Sequence, residues 1–283
     1  MFKKLVFLGI IFLPLILWIV WSNTNKNSSN SSMIYVEKND ENSEKVLNED
    51  LSKYFSGYDG CFVLYDKNQN KYLIYNEAKS EKEISPCSTF KIVNALIGLD
   101  TNVLQDENTI FKWNGTKYAI EEWNKDQTLS SAVANSVVWY FQEVASKVGE
   151  ERMQEYLSKI DYGNKDISGG LTKFWLQSSL KISPRKQVEL LRNMYDYKLP
   201  FSRKNIDIVK KVLKISEQNG IVLSGKTGSG TDGNKSINGW FIGYVERDND
   251  VFFFAVNIEG KDNATGVLAE QIAKNILKDK NIL

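Results

Sequence analysis

The sequence predicts an α+β fold, an antiparallel sheet formed by N- and C-terminal strands with flanking helices and an inserted helical subdomain. Three observations predict it. Gly60 to Asp66 and Lys71 to Tyr75 are apolar-rich runs separated by the polar Lys67-Asn68-Gln69-Asn70, the pattern of a β-hairpin. From Ser88 to about Ile215 the chain reads mainly as helices. After Gly220 strand-like segments return, so strands at both ends bracket a helical middle and pair most simply in one sheet. The 283 residues, 42% of them hydrophobic, suffice for one sizeable core.

Taken in order, the chain opens with Met1-Phe2-Lys3-Lys4 and then seventeen uncharged residues, Leu5 to Trp21. Residues 1–22 are expected to be a signal peptide or a membrane anchor, with the lysines inside and the rest of the chain exported. No Ala-x-Ala cleavage site follows, which favours the anchor, with residues 5–21 as its membrane contact. Ser22 to Ser32 is unbroken Ser, Asn, Thr and Lys, and charged residues continue to Asp50. Residues 23–50 therefore read as a polar linker and 51–283 as the folded domain.

Within that domain, Pro86 ends an extended segment, and Phe90, Ile92, Val93, Ala95, Leu96, Ile97 and Leu99 mark a buried helix starting near Ser88. Ser183-Pro184 is an N-cap followed by proline at the first helical position. Ile221 to Thr227, Ile237 to Glu246 and Val251 to Ile258 read as three strands, and Ala264 to Leu277 as an amphipathic closing helix.

Composition narrows the chemistry. With 36 basic and 35 acidic residues the net charge is +1, which gives no nucleic-acid footprint. There is no histidine, which removes Ser-His-Asp and Cys-His catalysis and His-based metal sites together. A serine nucleophile here must be activated by lysine, carboxylate, tyrosine or a terminal amine. Two cysteines, Cys61 and Cys87, are too few for a structural zinc site, and no metal is expected. Outside the cytoplasm they could form a disulfide or remain two buried thiols.

Several short motifs remain, each with a plain structural explanation. Ser88-Thr89-Phe90-Lys91 places a lysine one helical turn above a serine, a nucleophile beside a base or merely an N-cap with a surface lysine. Gly220 to Thr227 matches the P-loop pattern, but its middle is strand-like and Gly228-Ser229-Gly230 follows where a helix would be required. Lys226-Thr227-Gly228 near a strand end could instead hold a substrate carboxylate, the glycine admitting substrate close to the backbone. Ser136-Val137-Val138 falls at a break between helical stretches, Tyr162-Gly163-Asn164 is a turn signal, and Phe174-Trp175-Leu176 suits a core. Their order in one chain without histidine is what plain packing leaves unexplained. Ser-x-x-Lys with a downstream Lys-Thr-Gly is the signature of serine β-lactamases and penicillin-binding proteins.

On these motifs, and on the run Asn238-Gly239-Trp240-Phe241-Ile242-Gly243-Tyr244, the chain from about Leu51 to Leu283 resembles the class D, oxacillinase-type, β-lactamases. The resemblance implies hydrolysis of β-lactam antibiotics, with Ser88, Lys91 and Ser136 catalytic. It implies that Lys91 carries CO2 as a carbamate (N6-carboxylysine) and that no diffusible cofactor is needed. Carbamylated Lys91 would take the proton of Ser88 and later activate water, and Ser136 would pass a proton to the leaving nitrogen. Amides of Ser88 and Ser229 would form the oxyanion hole, and Trp175 would donate its indole N–H to the carbamate. Val138, Trp175, Lys226, Thr227, Gly228 and Ser229 would line the substrate site, with Lys226 and Thr227 orienting the carboxylate. Carboxylation needs a neutral amine, which burial of a lysine provides.

One departure stands out. Many class D enzymes bind the substrate carboxylate with an arginine near the chain end, whereas this sequence has none after Arg247, itself expected in a turn. The sensor domains of transmembrane β-lactam transducers share the motifs, and are acylated without turnover. Those transducers have several spans and a histidine-containing protease domain, and tend to carry asparagine at the position of Val138, so the enzyme is the expected reading. A penicillin-binding transpeptidase is a further rival, less well matched by Ser-x-Val and Phe-Trp-Leu. The sequence carries no signal for an oligomeric state.

Overall fold

The computed structural model describes residues 44–283, so the expected anchor and most of the expected linker lie outside the described residues. In chain order the elements are β1 (Lys45–Asn48), β2 (Asp59–Asp66), β3 (Lys71–Tyr75), α1 (Glu77–Ser80), a 3-10 turn (Cys87–Phe90) continuing into α2 (Lys91–Asp100), then α3 (Leu129–Ala134), α4 (Val138–Val148), α5 (Glu150–Lys159), α6 (Pro184–Tyr195) and α7 (Arg203–Leu213). The chain then returns to the sheet with β4 (Lys214–Gln218), β5 (Ile221–Asp232), β6 (Lys235–Arg247) and β7 (Asp250–Glu259), and closes with α8 (Gly266–Asp279).

The seven strands form one sheet in the order β1-β3-β2-β7-β6-β5-β4. N-terminal β2 meets C-terminal β7 at its centre, pairing Val63 with Ala255, so both ends of the chain feed one sheet as expected. Every pairing is antiparallel except β1 with β3, which is parallel. The folded part thus begins before Leu51: Lys45–Asn48, within the stretch assigned to the linker, is an edge strand. Its four residues are all exposed, so no apolar alternation marked it. The same holds for β4, whose start was read as the end of the helical region.

Side chains alternate across the sheet. Phe62, Leu64, Phe241, Val245, Phe254 and Val256 face α8, whose Ala269, Ile272, Ala273 and Ile276 complete a smaller core. Val63, Tyr65, Trp240, Ile242, Tyr244, Phe253 and Ala255 face the helical layer. There α2 is buried on all sides from Lys91 to Leu99, as befits a central helix. The Ser183 hydroxyl accepts from the Lys186 amide ahead of Pro184, the expected cap. The 3-10 turn lies between α2 and strands β5 and β6, at the seam of the helical layer and the sheet.

Candidate active site

The nucleophile motif is held from three directions. Cys87 has a left-handed φ of +50° immediately before Ser88, and no side-chain cap bond is made at the start of this turn. The structure therefore discards the N-cap explanation. One turn on, Lys91 Nζ is hydrogen-bonded to Ser88 Oγ at 2.6 Å. Phe90, between them, is boxed by Tyr162, Phe174 and Trp175 with ring centroids at 5.5, 5.1 and 5.6 Å. The Tyr-Gly-Asn and Phe-Trp-Leu motifs thus converge on the residue that precedes the lysine.

Lys91 is 1% exposed, and the Phe141 ring lies 5.7 Å from its amine. Burial holds its pKa well below the ordinary lysine value, and the Lys226 cation lowers it further while Cys87 opposes. The indole N–H of Trp175 is fully buried and finds no partner among the described residues. Val138 opens α4 one turn before Phe141.

Ser136 sits in the break between α3 and α4 with a left-handed φ of +52°. Lys226 Nζ donates to its Oγ at 3.0 Å, and to the Thr227 carbonyl at 3.0 Å, with Thr227 Oγ1 at 3.4 Å. Lys226 is buried, which pushes its pKa down to about 8 against the opposing charge of Glu270. Two serine–lysine pairs, Ser88–Lys91 and Ser136–Lys226, thus stand close enough for the charge of Lys226 to act on Lys91.

The Lys-Thr-Gly motif lies in the middle of β5 rather than near its end, and strand continues through the glycines to Asp232. The P-loop match is excluded by this geometry, because strand and not helix runs on directly from Thr227. Gly228 also has a packing role. A Cβ there would stand 3.0 Å from the Pro86 carbonyl and 3.3 Å from the Ser88 amide, so the missing side chain lets β5 close onto the nucleophile turn. Ser229 is exposed, and its Oγ accepts from the Gly266 amide at 2.8 Å, tying β5 to the start of α8.

Arg247 ends β6 opposite Ile221, five pairs from the Lys226–Ile242 pair, or about 17 Å along the strands. It donates to the Asn281 carbonyl and is no part of the site. The cysteines are two separate buried thiols rather than a disulfide. A set of polar residues behind Ser88 was given no role: Ser85, Gln177 and Asn257, and Asn238, which entered only as the start of a family-like run. The available signal was asparagine at inward positions of the apolar strands β6 and β7, both fully buried.

A half-buried serine bonded to a buried lysine, a second serine on a helix break and a lysine on a strand thus stand in the arrangement that the order of the motifs led us to expect. Residues 60–278 match the family model of the penicillin-binding protein transpeptidase domain. The chain is 42% identical over 236 residues to the regulatory protein BlaR1 of Bacillus licheniformis, covering 83% of this chain but 39% of that protein. It is 39% identical to β-lactamase OXA-10 of Pseudomonas aeruginosa, covering 83% of this chain and 90% of that one. Among solved structures, class D β-lactamase BAT-2 superposes with a TM-score of 0.79 at 40% identity, covering 83% and 97% of the two chains. The chain spans about two-fifths of the length of the BlaR1 relative. It belongs to the class D serine β-lactamase family, within the penicillin-binding transpeptidase domains.

Proposed function

We propose that this protein hydrolyses the β-lactam ring of penicillin-type antibiotics, giving resistance, and that it does so outside the cytoplasm. The Ser88–Lys91 pair at 2.6 Å carries the reading, because the lysine is buried and held towards its neutral form. A neutral amine is the form that accepts CO2, and a carbamate there would supply an anionic oxygen base. The residues fit such a group: the unpartnered Trp175 N–H is a donor awaiting an acceptor, and a buried unmatched donor is costly.

In the proposed reaction Lys91, so modified, takes the proton of Ser88 as Oγ attacks the lactam carbonyl. The amides of Ser88 and Ser229 receive the oxyanion. The C–N bond breaks, and Ser136 delivers a proton to the departing nitrogen. Lys91 then activates water, which releases the product from Ser88. Lys226 and Thr227 hold the substrate carboxylate without an arginine.

The identity to BlaR1 favours a second reading, a β-lactam sensor that is acylated and not turned over. Hydrolysis is preferred because Val138 presents an apolar side chain at the position where, in the sensor type, an asparagine is expected. Hydrolysis of a chromogenic cephalosporin, with and without bicarbonate, separates the two. Steady turnover that rises with bicarbonate supports the enzyme. A single stoichiometric burst leaving a long-lived adduct on Ser88 supports the sensor.

A further inference from the structure

Behind Ser88, two segments that the reaction needs in fixed relation are joined by amide side chains. The first is Ser85–Cys87, which leads into the nucleophile; the second is Trp175–Ser178. Each contains a non-glycine residue in left-handed conformation, Cys87 at φ +50° and Gln177 at φ +51°, and such backbone persists only where its surroundings hold it.

The restraint is a connected set of hydrogen bonds centred on Asn238, with Asn257 Oδ1 at its back the one buried side-chain oxygen of the set left without a partner among the described residues. Asn238 Nδ2 uses both hydrogens, donating to the Ser85 carbonyl at 3.0 Å and to Gln177 Oε1 at 2.9 Å. Its orientation is fixed from behind, because Asn257 Nδ2 donates to Asn238 Oδ1 at 2.9 Å. The Ser85 carbonyl takes a second bond from Trp240 Nε1 at 2.9 Å. Gln177 Oε1 also receives the Cys87 thiol at 3.5 Å, and burial keeps that thiol protonated as a donor. Ser85 Oγ closes the loop, donating to the Trp175 carbonyl and accepting from the Ser178 amide, each at 3.3 Å. A Cβ at Gly230 would stand 2.1 Å from Gln177 Oε1 and 3.0 Å from Cys87 Sγ, so the bare glycine lets β5 pack directly against the group.

We propose that Gln177 and Asn238 are positioning residues, a single amide pair that sets the nucleophile turn and the Trp175 loop against each other. They touch neither the reacting serine nor the lysine. Through Cys87 they fix where Ser88 Oγ stands, and through the 175–178 loop they fix where the Trp175 N–H points. One restraint therefore serves both acylation at Ser88 and retention of CO2 at Lys91. The second half rests on the carbamate reading given above; the first half does not.

The test uses Gln177→Ala, Gln177→Met and Gln177→Glu, with Asn238→Ala as the buried counterpart. Gln177 is itself exposed, so its variants are expected to fold with melting temperatures near that of the parent. The acylation rate is read with a fluorescent penicillin in saturating bicarbonate, and carboxylation by the carbon-13 resonance of a carbamate during a titration with labelled bicarbonate. Gln177→Ala and Gln177→Met should acylate about tenfold or more slowly, and need several-fold more bicarbonate for half-carboxylation. Gln177→Glu keeps an oxygen to accept from Asn238 and Cys87 and should recover most of both. Asn238→Ala should reproduce the Gln177→Ala defect. Acylation at parental rate in folded Gln177→Ala and Gln177→Met overturns the proposal, as does an equal defect in Gln177→Glu. A parent showing no carbamate resonance overturns the Lys91 reading instead, while the acylation rates still decide whether the pair positions Ser88.

Discussion

Ser136 and Lys226, ninety positions apart in the chain, meet at 3.0 Å between Oγ and Nζ. The contact joins the break between two helices to the middle of a strand, and places a lysine where a substrate carboxylate would meet it. Lys226 is pushed down to about 8 by burial, so it is largely a cation at pH 7 and loses its charge just above. With Arg247 remote from the site, Lys226 is the buried cation available to that carboxylate.

The KM for a penicillin should therefore climb as the pH rises through about 8, by up to about tenfold per pH unit beyond it as the protonated fraction falls. A cephalosporin ester lacking the free carboxylate should show no such rise. Steady-state kinetics from pH 6 to 10 check this, and a flat KM for the acid substrate refutes the role.

Replacing Lys91 by methionine preserves the length and apolar surroundings of a side chain that is 1% exposed, and removes the amine. Turnover should fall by about 10²–10⁴-fold, the usual contribution of a general base. Bicarbonate should stimulate the parent and leave the variant unchanged. Near-parental hydrolysis by Lys91→Met would remove the lysine from the mechanism altogether.

Burial pushes Cys61 up to about 12 and Cys87 up to about 11. Both are therefore protonated and shielded, and thiol reagents act on the thiolate. The folded, unreduced protein should titrate no thiol at pH 8 and two after denaturation without reductant. Two missing thiols in the denatured sample would instead mean a disulfide.

Much of this was legible in the sequence because it was periodic or ordered. The β2–β3 hairpin, the buried α2 and the strands β5 to β7 follow from apolar spacing, and the Ser183-Pro184 cap from local chemistry. Ser88, Lys91, Ser136 and Lys226 were found through motif order, and the structure brings them within bonding distance in two pairs. The edge strands β1 and β4 were not visible, since a strand with every residue exposed has no apolar alternation. The packing role of Gly228 was not visible because its close neighbour, the Pro86 carbonyl, lies far off in sequence. The structural roles of Asn238 and Asn257 were hidden for the same reason: the partners of a buried amide come from elsewhere in the chain.

Trp175→Phe removes one buried N–H while keeping the ring that packs on Phe90. Without bicarbonate the variant should be as stable as the parent or slightly more so, because an unmatched buried donor is removed. With substrate it should need more bicarbonate for full activity and accumulate acyl-enzyme, since deacylation depends on the base. Rapid-mixing kinetics with and without bicarbonate test this, and an unchanged bicarbonate requirement means the indole N–H serves some other acceptor.

Lys226 also gives a stability prediction whose sign is easily mistaken. Its folded pKa of about 8 lies below the ordinary value of 10.5, so between these pH values the unfolded chain binds more protons than the folded one. Stability therefore rises with pH across that window, and below it the folded protein carries the full cost of a buried cation. Lys226→Met should stabilise the protein at pH 7, by about 1–3 kcal/mol, with the gain fading towards pH 10.5. The same variant should lose affinity for penicillins, because the cation for their carboxylate is gone. Denaturant titrations at pH 7 and pH 10 check the sign. Equal destabilisation at both would mean that the bonds from Lys226 to Ser136 and Thr227 outweigh the cost of burying its charge, and that the lysine is a structural tie first.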